Sequence, residues 1–81
     1  MTEKVRSHLR NKIVEYSIWK WREWMLTNSI EMLREIEQLE AVPFEQKYSL
    51  KVEQLREDAQ AKMRLIMAEI DGIIDGLLDK E

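Results

Sequence analysis

Apolar residues recur at three- and four-residue steps through most of this 81-residue chain, and one proline divides them into two runs. In the second run Tyr48, Val52, Leu55, Ala59, Met63, Ile66, Ile70, Ile73 and Leu77 form a continuous stripe, the pattern of a helix that buries one face. The 4–4 step from Leu55 through Ala59 to Met63 departs from a strict heptad, so any supercoil is expected to relax there. In the first run the stripe is Val14, Ile18, Met25, Leu33 and Ile36, with Trp19, Leu26 and Ile30 alongside. It is broader and less regular.

Pro43 supplies the punctuation. Upstream, Thr2 to about Leu39 contains no Gly or Pro and is rich in good helix formers, and Phe44 to about Leu78 has the same character apart from two glycines. Proline suits the first turn of a helix, where its missing N–H is not needed, and it biases Val42 away from helical angles. The spacing therefore predicts helices over about 3–40 and 44–79 with a turn at 41–43. Two long helices on so short a link lie antiparallel. The fold class expected is an all-α helical hairpin, one domain over 1–81, with a coiled-coil-like seam.

Charge supports the antiparallel pairing. Residues 1–12 carry four basic side chains against one acidic, net +3, while 69–81 carry five acidic against one basic, net −4. A hairpin sets these ends side by side; a parallel pair would set like charges together. Each exposed pair is worth only ~0.2–1 kcal/mol. One local feature points elsewhere: Thr27, Asn28 and Ser29 are weak helix formers, and Asn28 with Glu31 resembles a capping box that could start a third helix. The apolar spacing runs through the site, which favours a continuous helix.

Composition narrows the function classes. The chain is 44% hydrophobic and 36% charged, too apolar for a disordered tail and too charged for a membrane protein. No stretch approaches the ~18–20 apolar residues that cross a bilayer, and no secretory or lipidation signal is apparent. Cysteine is absent, which suits a reducing compartment, and a cytoplasmic location is expected. His8 is the single histidine, and Val5 stands where a Glu-x-x-His motif would need Glu, so no metal centre is expected. The many carboxylates read as a solvated face, since paired-carboxylate chemistry needs a water-excluding pocket that a hairpin has little volume to build. No catalytic residue, cofactor or metal is assigned. An enzyme is not expected.

The remaining signals concern surfaces. At 100° per residue, Trp21 lies about 160° from Trp19, and Trp24 a further 60° round. One partner helix cannot cover all three. Trp19, Trp21 and Trp24 are thus candidate interaction residues, together with Gly72 and Gly76, which occupy a small-residue track beside Asp71, Asp75 and Asp79. Two helical glycines suggest either a close helix approach on a second face or fraying after Ile70. An alternative reading draws on residues 1–22, which carry six basic side chains against two acidic, net +4. Lys4, Arg6, Arg10, Lys12, Lys20 and Arg22, interleaved with Trp19 and Trp21, could grip nucleic acid. The pI of about 5.2 leans against it. A lone hairpin also leaves Met32, Met67, Ile74 and Leu78 unprotected, which a homodimeric four-helix bundle would cover. The function expected is that of a non-enzymatic, homodimeric interaction protein (a regulator, adaptor or inhibitor) acting on another protein.

Overall fold

The computed structural model describes residues 2–79 and is an all-α antiparallel hairpin. Helix α1 spans Glu3–Leu39 and helix α2 spans Tyr48–Asp79, with a short 3-10 turn at Phe44–Gln46 between them. The molecule measures 60 × 15 × 13 Å, the shape of two helices lying side by side.

Thr2 opens α1 in an extended conformation, and its hydroxyl accepts the Val5 N–H at 3.3 Å. The helix runs unbroken through Thr27-Asn28-Ser29. The hydroxyls of Thr27 and Ser29 donate to the carbonyls of Glu23 and Met25, one turn back, both at 2.9 Å. Their hydrogen-bonding capacity is met inside the helix, so no cap and no third helix forms.

The end of α1 is a Schellman motif. The N–H of Ala41 donates to the Gln38 carbonyl at 3.3 Å, and the N–H of Val42 to the Glu37 carbonyl at 3.0 Å. Ala41 takes the left-handed conformation, with φ of 52°, that this motif ordinarily gives to glycine. Pro43 then opens the 3-10 turn and not α2, which starts at Tyr48 and later than the expected position 44. Lys47 is extended and separates the two. The start of α2 is held from across the turn: the buried Glu37 carboxylate accepts the Ser49 N–H and the Ser49 hydroxyl, each at 2.8 Å. A side chain of α1 thus caps α2.

The seam follows a strict 3–4 alternation on both helices. On α1 it uses Leu9, Lys12, Tyr16, Trp19, Glu23, Leu26, Ile30, Leu33 and Glu37; on α2, Ser49, Val52, Arg56, Ala59, Met63, Ile66, Ile70, Ile73 and Leu77. Its centre is dry, with Ile30, Ala59 and Ile66 each 1% exposed. Fully burying an isoleucine is worth ~1.5–3 kcal/mol. This corrects the stripes expected from the sequence. Leu55 is 55% exposed and Arg56 takes its place in the seam, which removes the 4–4 step; Ser49, likewise, replaces Tyr48. On α1 the expected stripe of Val14, Ile18, Met25 and Ile36 is exposed, and the residues alongside it face α2. Following apolar residues alone passes over the polar ones that the seam accepts.

The pairs Glu37–Ser49, Arg34–Glu53 and Lys12–Glu69 fix the antiparallel register. Lys12 also approaches Glu15 at 3.5 Å. Among the described residues Lys12–Glu69 is the cross-helix ion pair at the open end, whereas Lys4, Arg6 and Arg10 make none with Asp71, Asp75 or Asp79.

Candidate interaction surface

With one face of α1 committed to the seam, the question is what its other faces carry. Val14, Ile18, Trp21, Met25, Met32 and Leu39 each follow a seam residue by two positions, starting with Val14 after Lys12 and Ile18 after Tyr16. Two residues turn a helix by about 200°, so this second apolar stripe lies on the side of α1 turned largely away from α2. Trp21 and Met25 reach the edge of the groove between the helices, and Asn28 and Glu35 interrupt the stripe. Ile18, Met25, Met32 and Leu39 are seven residues apart, and all four are exposed. A helix with apolar residues on two opposed faces reads from sequence as broad and irregular. That explains the α1 pattern.

The three tryptophans separate accordingly. Trp19 sits half-buried in the seam, with the Arg22 guanidinium 4.8 Å above its ring. Trp21 and Trp24 are 61% and 62% exposed. Trp21 lines two neighbouring apolar grooves: one on α1 alone, with Ile13, Val14 and Ile18, and one between the helices, with Met25, Leu26, Leu55 and Ala59. Trp24 lines neither.

The glycines lie elsewhere. Gly72 and Gly76 are exposed, and a Cβ built on either would meet open space, so no element of the chain approaches them closely. Nor does α2 fray after Ile70, since it continues to Asp79.

The basic residues do not gather into one patch. Lys12 turns into the seam to Glu69, and Arg22 lies over Trp19. On a 3.5-residue repeat Arg6, Arg10 and Lys20 fall on one flank of α1, with Lys4 on another. The Lys12–Glu69 hydrogen bond raises the Lys12 pKa above its ordinary value, and lowers that of Glu69 below its own, against a smaller opposing effect of desolvation.

His8 is exposed on α1, and among the described residues no three His, Asp or Glu side chains converge as a metal-binding group. No described helix is long and apolar enough to cross a membrane. The fold and surface define a two-helix hairpin whose first helix is apolar on two opposed faces. Compared with known protein families, curated proteins and solved structures, the chain matches none.

Proposed function

We propose that the protein is a non-enzymatic interaction protein, a regulator, adaptor or inhibitor that acts as a homodimer on another protein in the cytoplasm. The observation that supports this reading is the exposed apolar stripe on the far side of α1, from Val14 to Leu39. Exposed patches of this kind are rare on chains that act alone, and interface centres are enriched in Trp and Met. The absence of cysteine suits a reducing compartment. Nucleic acid is the weaker alternative, because only Arg6, Arg10 and Lys20 share a flank of α1, Lys4 and Arg22 lie elsewhere on it, and Lys12 is engaged inside the hairpin.

The test separates folding from association. Trp19→Ala should lower the melting temperature, as loss of a seam side chain does. Trp21→Ala should leave the circular-dichroism spectrum unchanged and weaken self-association by ~2 kcal/mol, the usual cost of removing an interface tryptophan. If Trp21→Ala and Trp24→Ala both associate as the wild type does, the exposed tryptophans are not an interaction surface.

A further inference from the structure

We infer that two copies join through the outer faces of their first helices, α1 against α1 in antiparallel orientation, leaving each α2 on the outside. This rests on the homodimer reading above and departs from a closed four-helix bundle.

A closed bundle asks each of its four helices for apolar residues toward two neighbours. Only α1 has them. Its second stripe keeps the same 3.5-residue repeat as the seam, so the supercoil that keeps the seam on α2 also keeps the outer stripe in line. On α2 the exposed large hydrophobic residues Tyr48, Leu50, Leu55, Leu65, Met67, Ile74 and Leu78 are separated by 2, 5, 10, 2, 7 and 4 residues and form no such line. Lys51, Asp58 and Lys62 are interspersed among them. A partner laid on the far side of α2 would cover Lys51, Asp58, Asp75 and Asp79, whereas one laid on the outer face of α1 meets Val14, Ile18, Trp21, Met25 and Met32, with Asn28 and Glu35 as its polar positions.

Size and charge select a second copy as the occupant. The stripe from Val14 to Leu39 covers 25 residue steps, about 38 Å of helix. Two helices in contact over that length reach the lower end of the interface range, roughly 1,200 Å² in total. Along α1, residues 3–22 carry six basic side chains against two acidic, net +4, and residues 23–39 carry four acidic against one basic, net −3. The imbalance survives without Lys12 and Glu37, both engaged inside the hairpin. Antiparallel packing of two α1 helices lays each basic half on the other's acidic half; parallel packing opposes like charges. One surface thus supplies both sides of a two-fold contact.

The experiment combines sedimentation equilibrium with one distance. Wild type should be dimeric, Met25→Glu should raise the dimer dissociation constant at least tenfold with helicity retained, and Leu65→Glu on α2 should leave it unchanged. Because the chain has no cysteine, a spin label on Ser7→Cys is unique. With the contact centred midway between Val14 and Leu39, the ends of the stripe, the two labels should lie roughly 55–60 Å apart. A dimer that withstands Met25→Glu, is dissociated by Leu65→Glu, or brings the labels within ~20 Å overturns this geometry and leaves the homodimer reading standing. A wild type that is monomeric at every concentration overturns both.

Discussion

Three side chains near the turn and seam show how polar groups are accommodated in so thin a molecule. Glu37 is buried, and its carboxylate is matched by the Ser49 N–H and hydroxyl, which converts a costly charge into the cap of α2. Ala41 carries a left-handed backbone that an L side chain adopts at a cost, so Ala41→Gly should raise stability by ~0.5–1 kcal/mol, measured by urea unfolding. Arg56 occupies a seam position with its Nε buried and without a hydrogen-bond partner. Arg56→Leu removes that orphaned donor and extends the apolar seam, and should stabilise by about 1 kcal/mol. A loss of stability there would mean that the guanidinium makes a contact important to the fold.

At the scale of the helices, the seam assignment separates residues that look alike in sequence. Ile66 is 1% exposed, and Ile66→Ala should cost ~2–5 kcal/mol; Leu55→Ala, on the groove, should cost about 1 kcal/mol or less. Thermal melts of the two variants check this directly. The Lys12–Glu69 pair predicts a pH dependence. Glu69 titrates below its ordinary 4.5 when folded, so its contribution is present above that pH and lost as pH falls through the folded value. Lys12 titrates above its ordinary 10.5, so its contribution is present below that pH and lost as pH rises through the folded value. The difference in melting temperature between wild type and Glu69→Gln should therefore be present at pH 7 and shrink progressively as pH falls below 4.5. Both helices, their order and their antiparallel pairing were legible, because Gly and Pro are scarce and Pro43 stands between two apolar runs. The seam of α1 was not. Lys12, Glu23 and Glu37 sit in it while Val14, Ile18 and Met25 do not, and hydropathy cannot tell which of two opposed stripes faces α2. The start of α2 was hidden for a similar reason, since its cap comes from Glu37, twelve residues before Ser49.

At the scale of the whole molecule, a single seam between two helices leaves the far side of α1 uncovered. Trp21, exposed and lining both apolar grooves, was legible from its angle to Trp19 as a tryptophan that α2 does not cover; the stripe to which it belongs, interrupted at Asn28 and Glu35, emerged only once the seam was placed. If a second copy covers that stripe, association and folding are linked by mass action, and the melting temperature should rise with protein concentration. Sedimentation equilibrium across micromolar concentrations is the most direct measurement. A species of about 20 kDa, twice the 9.8 kDa chain, is expected to dominate as concentration increases. A mass that stays at 9.8 kDa throughout would contradict self-association through α1.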